Sequence, residues 1–448
     1  MRIGIHKLHK YAGVFSGIFL LLLALSGFFL NHDNWKFLYS TTFSNRYIPN
    51  ETIQQNQRLY NAFHIDTTSK NIYTIAGFRG VYVSLDFGKN YLHSFDIPVY
   101  SMIEIDDGNY YVATSEGLYY SSDKANTWKR FALDGKIVTS LSYDNNKFLV
   151  AVDKSELILL NKKGSILSHT TVNIEQSELE HDISLSRLIR DVHYGRGLFD
   201  NGISLLLNDF SALWLTLLAL SGYVLWYLIK SIRHHKSYKK PLNMLLKIHA
   251  SSWVLIAVVP LIFLVITGIF LDHGQFFANF MRKTKISHSV LPPIYNSLKE
   301  DIWTIDMYDG TYRIGNRYGV YKSNDMNKWK FESKGFAYKF IRKQKKLYVS
   351  GMGSANRIYM EHQWSILENT PHMFKSVNPI DNNVQYFSTH DLHISLPKVN
   401  TTTLYTILYS IHDGSFFASW WIYINDIASL FLLLLLYTGL RLWYKRVR

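Results

Sequence analysis

The chain has 448 residues, a formal net charge of +14 and no cysteine. The lack of cysteine excludes disulfides, thiolate metal sites, iron–sulfur clusters and covalently attached haem. Any redox cofactor must therefore be held by histidine, of which the chain has 18, or by shape.

Four segments contain no Asp, Glu, Lys or Arg: residues 11–31, 210–229, 251–271 and 427–440. With their flanks, each reaches the roughly 20 residues that a membrane-spanning helix requires. We therefore predict a four-span α-helical membrane bundle. The predicted divisions, in chain order, are span one (1–31), a first β region (32–200), span two (201–230), a basic linker (231–247), span three (248–272), a second β region (273–420) and span four with the tail (421–448).

Span one has an alternative interpretation, because Ala24-Leu25-Ser26 before Gly27 resembles a signal-peptidase site. The same pattern recurs around Thr267 in the middle of the chain, where no signal peptide can lie. We therefore expect span one to be retained as a membrane helix.

Basic residues predict the orientation of the spans. The N-terminus, the linker between spans two and three, and the tail carry 13 basic and no acidic residues. Basic residues favour the cytoplasmic side, so we expect both termini and the linker to be cytoplasmic and both long loops to lie outside. The net charge then reflects topology and contact with membrane lipid, and we expect no nucleic-acid binding.

The two halves of the chain repeat the same residues around their spans. In spans one and three, His9, Ser26-Gly27 and His32 correspond to His249, Thr267-Gly268 and His273. Around spans two and four, His193, Asn208-Asp209, Ser221-Gly222 and Trp226 correspond to His412, Asn425-Asp426, Thr438-Gly439 and Trp443. This internal repeat predicts a two-fold pseudo-symmetric bundle in which equivalent histidines meet in pairs.

The long loops carry a shorter repeat, Ser84-Leu-Asp86, Ser121-Ser-Asp123 and Ser323-Asn-Asp325, with weaker copies at 157–167 and 357–367. These segments resemble Asp-box (BNR-like) hairpins, in which Ser and Asp brace a tight turn between two strands. A spacing of about 40 residues is typical of propeller blades. We expect three hairpins from the first loop and two from the second to form one all-β, propeller-like periplasmic domain capping the bundle.

A catalytic role for Asp86, Asp123 or Asp325 is disfavoured, because no arginine cluster for a substrate carboxylate accompanies them. A sialidase-like hydrolase is therefore the least favoured function, and the repeats are expected to serve as scaffold or docking surface.

The spans resemble the PepSY-associated transmembrane family. The resemblance rests on His-Lys-Leu-His-Lys-Tyr-Ala-Gly at residues 6–13, the Ser-Gly and Thr-Gly pairs, and Arg-Asp-Val-His-Tyr-Gly at 190–195 before Asn208-Asp209. That family includes inner-membrane ferric-siderophore reductases that bind haem, so the resemblance implies a multi-pass protein of the bacterial inner membrane with one or two haem b groups. Neither loop shows a PepSY-like α/β domain, which leaves the substrate open.

Histidines related by the repeat are the candidate cofactor ligands. We expect His9 and His249 to ligate haem iron near the cytoplasmic side. On the outer side we favour His193 and His412 as iron ligands, because their His-x-Gly context resembles the family motif.

A second outer pair, His32 and His273, is also a candidate for cofactor binding, since titratable residues at the edge of a membrane are functional candidates by default. These two could instead face water or line the substrate approach. Asp209 and Asp426 are expected either to fix an imidazole tautomer or to act as caps or interhelical contacts. The glycines beside the hydroxyl residues are expected to leave a gap for a cofactor, although small residues also let membrane helices approach closely.

From His9 to His32 a helix extends about 35 Å, so a single haem, two inclined haems, or a quinone between two haems are all left open. We predict a transmembrane haem protein that moves electrons from an unidentified donor to a periplasmic acceptor such as a ferric siderophore, which would make it an oxidoreductase. The alternative is a non-enzymatic, membrane-anchored propeller that binds or assembles an envelope partner. The sequence identifies no catalytic residue and no nucleotide-binding fingerprint.

Overall fold

The computed structural model describes residues 4–66, 68–105, 108–232, 236–298, 301–380, 383–388 and 394–447. The chain divides into two compact units. The helical unit comprises Met1–Gln55, Leu188–Met281 and Thr401–Arg448, and the β unit comprises Asn56–Arg187 and Arg282–Asn400.

Seven longer helices carry the residues of the internal repeat: α1 (Ile5–Asn31), α2 (Leu185–His193), α3 (Asn201–Ser231), α4 (Lys239–His249), α5 (Val254–Asp272), α6 (Leu404–His412) and α7 (Trp421–Val447). Shorter α-helices lie at Phe37–Ser40, Asn50–Gln54 and Ala278–Lys283, and a two-stranded sheet joins Thr42–Ser44 to Thr401–Thr403. Within the described ranges, four helices are long and apolar enough to cross a membrane, namely α1, α3, α5 and α7. The protein is therefore a membrane protein.

Polar side chains define where the helices begin and end. Asp200 caps α3 by accepting the backbone N–H of Ile203 at 2.8 Å, and Thr403 caps α6 in the same way through Thr406. The predicted third span, 248–272, is interrupted, because α4 ends at His249 and α5 begins at Val254. Ser251 and Ser252 occupy this break, and serine competes with helical hydrogen bonding in such positions.

The four long helices pack in a cycle, in which α1 and α5 each contact both α3 and α7. Small and aliphatic side chains meet at the centre, among them Ala24, Ala257, Leu261, Ala428 and Leu432. Small residues let membrane helices approach closely, and this packing holds the ends of the helices in fixed positions.

The β unit consists mainly of five four-stranded antiparallel sheets and one two-stranded sheet. Sheet 1 has the strands Tyr60–Ile65, Tyr73–Gly77, Gly80–Ser84 and Leu92–Phe95. Sheet 2 has the strands Val99–Glu104, Tyr110–Thr114, Gly117–Ser121 and Lys129–Ala132. Sheet 3 has the strands Val138–Asp144, Lys147–Val152, Glu156–Asn161 and Ile166–Thr171. Sheet 4 has the strands Thr304–Tyr308, Thr311–Gly315, Gly319–Ser323 and Lys330–Lys334. Sheet 5 has the strands Ala337–Lys343, Lys346–Gly351, Arg357–Met360 and Gln363–Ile366. Sheet 6 has the strands Ser376–Ile380 and Asn383–Phe387. A separate pair joins Ile183–Ser184 to Lys285–Ile286.

The first strand of each sheet contacts the first strand of the next, and that of sheet 6 contacts that of sheet 1. Side chains link these neighbours: Phe340 N–H donates to Thr304 Oγ1 at 2.8 Å between sheets 4 and 5, and Phe63 N–H donates to Ser376 Oγ at 2.8 Å between sheets 1 and 6. Sheets 1 to 3 come from the first loop and sheets 4 to 6 from the second. Sheet 6 lacks the Ser-x-Asp pattern, and the sequence did not predict it.

The Ser-x-Asp segments form tight turns between the third and fourth strands of their sheets. In the first, Ser84 Oγ donates to Asp86 Oδ1 at 2.7 Å, and the backbone N–H of Asn90 donates to the same carboxylate at 2.9 Å. These hydrogen bonds, above all the one from Asn90, lower the pKa of Asp86 to about 2. Equivalent bonds join Ser121 to Asp123 and Ser323 to Asp325.

Candidate functional site

The structure brings four of the predicted histidines together as two pairs. The His9 pair consists of His9 on α1 and His249 at the end of α4, with ring centres 6.4 Å apart. The His193 pair consists of His193 at the end of α2 and His412 at the end of α6, with ring centres 5.9 Å apart. Both pairs lie within the helical unit.

Each of these imidazoles is held through its Nδ1 atom by a hydroxyl group on another helix. In the His9 pair, His9 Nδ1 lies 2.8 Å from Thr438 Oγ1, and His249 Nδ1 lies 2.7 Å from Ser221 Oγ. In the His193 pair, the partner hydroxyls are Thr267 for His193 and Ser26 for His412, both at 3.0 Å.

The direction of these hydrogen bonds fixes the tautomer. A hydroxyl has a single proton, and Ser26 Oγ donates it to Leu22 O at 2.7 Å, as Thr267 Oγ1 does to Phe263 O at 2.6 Å. With its proton on the carbonyl, the hydroxyl accepts from the imidazole, an arrangement in which Nδ1 carries the proton and Nε2 the lone pair. Thr438 and Ser221 donate to helix carbonyls in the same way, so in all four histidines Nε2 is the nitrogen with a free lone pair.

The glycine after each hydroxyl residue leaves room for the imidazole ring. A Cβ on Gly27 would lie 3.0 Å from His412 Cε1, and one on Gly268 would lie 3.3 Å from His193 Cε1. The clearance is larger in the other pair, 3.5 Å from Gly439 to His9 and 3.8 Å from Gly222 to His249. The gap that the sequence suggested for a cofactor is thus filled by the edge of a histidine from another helix.

In the Asn-Asp dipeptides of α3 and α7, the asparagine and the aspartate contact different groups. Asn208 Nδ2 donates to the backbone oxygen of His193 at 3.0 Å, and Asn425 Nδ2 donates to that of His412 at 3.0 Å. These amides fix the ends of α2 and α6, and so the positions of the two imidazoles.

The adjacent carboxylates contact the remaining pair of predicted histidines. Asp209 Oδ2 lies 3.0 Å from His32 Nε2, and Asp426 Oδ2 lies 2.8 Å from His273 Nε2. Trp35 stacks on His32 with ring centres 4.3 Å apart. The Nε2 atoms of His32 and His273 are therefore occupied by contacts with aspartate on another helix. Of the roles expected for the two aspartates, this is the interhelical contact.

Burial keeps the histidines outside the spans neutral. It lowers the pKa of His193 to about 3, with a further contribution from His412, and it lowers the pKa of His412 to about 4. Burial, followed by the charge of His9, lowers the pKa of His249 to about 4. A neutral imidazole is the form that binds a metal ion.

The profile of the PepSY-associated TM region matches residues 6–446. The chain belongs to the PepSY-associated TM family. Both histidine pairs and all four hydroxyl partners lie inside the range that this family profile covers. A comparison with curated proteins gives no significant match.

Solved structures with some similarity to this family member include three β-rich proteins. An ancestral GH74 enzyme is 11% identical with a TM-score of 0.31, over 75% of this chain and 32% of the enzyme. The extracellular domain of a proposed one-component system from B. thetaiotaomicron is 10% identical with a TM-score of 0.34, over 78% and 32% of the two chains. The Neurospora crassa Pan2 WD40 domain is 9% identical with a TM-score of 0.22, over 70% and 90%. This chain thus spans about a third of the length of the first two.

Two neutral imidazoles at this separation can bind one metal ion from opposite sides. With a metal–nitrogen bond of about 2.0 Å and roughly 1.2 Å from Nε2 to the ring centre, the centres of two such rings lie about 6.4 Å apart. The ring centres of the His9 pair lie at this distance, 6.4 Å, and those of the His193 pair lie somewhat closer, at 5.9 Å. In the described part of the chain, no group of three or more His, Cys, Asp or Glu side chains could hold a metal ion.

Proposed function

We propose that this PepSY-associated TM protein binds two haem b groups, one at each histidine pair, and passes electrons through the bundle to a ferric siderophore. Four imidazoles in two pairs, each presenting Nε2 because a hydroxyl accepts from Nδ1, are the observation that carries this proposal. Haem fits these pairs because it brings four equatorial nitrogens and needs only two axial ligands from the protein.

The residues around each pair have separate roles in this proposal. His9 and His249 would hold one haem iron, and His193 and His412 would hold the other. Hydroxyl groups that accept from Nδ1–H orient each ring and increase its basicity, as partners of metal-bound histidine commonly do. Haem supplies one-electron transfer, and its potential depends on these ligands and on burial.

Spacing along α1 supports transfer between two levels of the bundle. His9 belongs to one pair and Ser26, which contacts His412, belongs to the other. These positions are 17 residues apart, about 26 Å along a helix. This distance is shorter than the roughly 35 Å between His9 and His32. In this proposal the outer level is formed by His193 and His412, and His412 contacts α1 at Ser26, before the helix reaches His32.

The basic residues at the termini and in the linker support an orientation with the His9 pair at the cytoplasmic side of a bacterial inner membrane. The His193 pair then lies toward the periplasm, where a ferric siderophore is the acceptor that the family suggests. One electron reduces one Fe(III) to Fe(II), a softer ion that binds more weakly to hard oxygen ligands. The donor supplies that electron from the cytoplasmic side or from the membrane.

For the β unit we infer a six-bladed propeller that serves as scaffold or docking surface. The cyclic contacts between first strands and the Ser-x-Asp turns at the blade edges support this interpretation.

The first test is the absorption spectrum of the purified full-length protein. Two low-spin haems per chain are expected, and His9→Ala should remove one. His6→Ala is the matched control, because His6 is exposed on the same helix three residues earlier. A protein purified without haem, and unable to take it up when supplied, would leave a membrane-anchored β scaffold as the function.

The second test concerns the acceptor. Dithionite-reduced protein should be reoxidised by a ferric hydroxamate, with Fe(II) captured by a chromogenic chelator. His193→Ala should stop this transfer and leave the haem of the His9 pair bound. If reduced protein keeps its spectrum with a panel of ferric siderophores but reacts promptly with another periplasmic acceptor, the siderophore assignment fails and the cytochrome assignment stands.

A further inference from the structure

Two lysines and an arginine converge inside the ring formed by the first strands of the six sheets. Lys339 lies on the first strand of sheet 5, Lys375 immediately precedes that of sheet 6, and Arg58 precedes that of sheet 1. Lys339 Nζ donates to Asn61 O, and Lys375 Nζ lies 3.4 Å from Asn61 Oδ1. Because both ammonium groups contact the same asparagine, they are close neighbours.

Within the described part of the chain, neither lysine has an acidic partner. Two other buried cations of the β unit are paired with carboxylates, Arg313 with Glu332 and Arg317 with Asp301. Lys339 and Lys375 contact backbone and amide oxygens instead. Isolated buried charge is strongly unfavourable, and among the described residues Lys339 and Lys375 have no carboxylate that would compensate their charge.

The electrostatic effect of this arrangement is large. Burial lowers the pKa of Lys339 to about 8. Burial, then repulsion from Lys339 and from Arg58, lowers the pKa of Lys375 to about 7. A bound anion would reverse these effects by stabilising both ammonium groups.

The hydrogen bonds leave one of the two lysines able to contact a ligand. Lys375 Nζ donates to Tyr60 O at 2.6 Å, to Arg58 O at 3.1 Å and to Asn61 Oδ1, so its three protons are used. Lys339 Nζ makes a single such bond and is half-buried, so it has protons to donate and an open approach. Lys375 and Arg58 would then contribute charge, and Lys339 direct contact.

We propose that Lys339, with Lys375 and Arg58 behind it, binds a small oxyanion of the carboxylate or phosphate class inside the ring of the β unit. Arg58 and Asn61 come from the first loop, whereas Lys339 and Lys375 come from the second. The anion therefore links segments that are distant in the sequence, and its binding stabilises the closed arrangement of the six sheets. This site is independent of the histidine pairs.

The test measures thermal unfolding of the full-length protein in detergent by β-sheet circular dichroism. Inorganic phosphate and citrate are titrated separately at constant ionic strength, with chloride as the reference anion. Ligands that bind the folded state raise Tm in proportion to the logarithm of their concentration. We expect phosphate or citrate to raise Tm by several degrees, and the more effective of the two identifies the anion class.

Variants separate a specific site from a general salt effect. Lys339→Met should abolish the increase in Tm, Lys339→Arg should retain it, and Lys330→Met, at an exposed lysine of sheet 4, should leave it unchanged. Broadening of the ³¹P resonance of phosphate by wild-type protein, and its loss in Lys339→Met, gives a readout that does not depend on stability. An equal increase in Tm in Lys339→Met, or no increase with either anion in the wild-type protein, would overturn the proposal.

Discussion

Gly27 and Gly222 occupy equivalent places beside the two kinds of histidine pair but leave different clearances. An added Cβ would lie 3.0 Å from His412 at Gly27 and 3.8 Å from His249 at Gly222. The first distance forces the imidazole to move, and the second is an ordinary contact. We therefore expect Gly27→Ala to weaken haem binding at the His193 pair by about 1–3 kcal/mol, roughly 5- to 150-fold.

Gly222→Ala is the matched control for this substitution and should change the haem of the His9 pair little. Haem retention during dialysis against apomyoglobin measures both effects. Equal loss of haem in the two variants would show that the ring clearance does not matter and that helix packing alone is affected.

From the hydroxyl groups that contact the histidines, we predict a change in the reduction potential of haem rather than only a loss of haem. Ser26 Oγ accepts from His412 Nδ1 and so makes this imidazole a stronger electron donor to a metal ion. A stronger donor favours the ferric state. Ser26→Ala should therefore raise the reduction potential of one haem, which a spectroelectrochemical titration measures, and should lower haem affinity by roughly 10–100-fold. Ser16→Ala is the control, because Ser16 bonds only to Ala12 of its own helix; the same shift in that variant would contradict the assignment.

At the scale of elements, the Ser-x-Asp turns make a prediction about acid stability. Hydrogen bonds lower the pKa of Asp86 to about 2 from its usual 3.8. A carboxylate with a lowered pKa stabilises the folded state above its unfolded-state pKa, and this contribution is lost as pH falls toward the folded-state value. Asp86→Ala should therefore lower the Tm of the β unit at neutral pH, and the difference from wild type should shrink between pH 4 and pH 2.

The control for Asp86→Ala is Asp96→Ala in the same sheet region, because the Asp96 side chain is 93% exposed. Circular dichroism melting curves at several pH values give the comparison. A difference in Tm for Asp86→Ala that persists unchanged at pH 2 would mean that the charge of the carboxylate is not what stabilises the turn.

The sequence predicted the spans and the pairing of His9 with His249 and of His193 with His412, since both follow from long apolar segments and an exact internal register. It did not predict that α2 and α6 present His193 and His412. Their apolar residues recur with helical spacing, at 185, 188, 189 and 192 and at 404, 407, 408 and 411. Helices of nine residues are marginal alone, so packing against the bundle decides that they form.

The sequence also did not predict which hydroxyl groups contact the imidazoles. Ser26 and His412 are separated by 386 residues, and nothing local indicates that one accepts from the other. Sheet 6 was missed for a related reason: its two strands lack the Ser-x-Asp turn, and its place follows only from contacts with sheets 1 and 5. Long-range pairing of this kind depends on the whole fold, which a pattern along the chain does not contain.

For the whole molecule, the distribution of charge predicts the topology. Basic residues are concentrated at both termini and in the linker between α3 and α5, with no acidic residue among them. Reporter fusions after Lys236 and at Arg448 should therefore read as cytoplasmic, and a fusion in the 130s should read as periplasmic. A periplasmic reading after Lys236 would contradict the four-span orientation.

The internal repeat that the sequence predicts leads to the most demanding prediction for the molecule as a whole. His9 and His249 are each tied to a hydroxyl on α7 or α3, at 2.8 and 2.7 Å, in corresponding positions of the repeat. If both bind the same iron, removing either one removes one of two axial bonds. His9→Ala and His249→Ala should then abolish the same low-spin haem signal.

Because that signal depends on both residues together, the double variant should lose little more than either single variant, and the effects should be far from additive. The haem of the His193 pair should remain in all three proteins, so that haem content falls from two per chain to one. Electron transfer from the inner-side donor should stop, while the outer haem, once reduced directly by dithionite, should still pass its electron to the acceptor. Low-spin haem retained in full by both single variants would show that His9 and His249 do not share one iron, and the two-level path through the bundle would have to be abandoned.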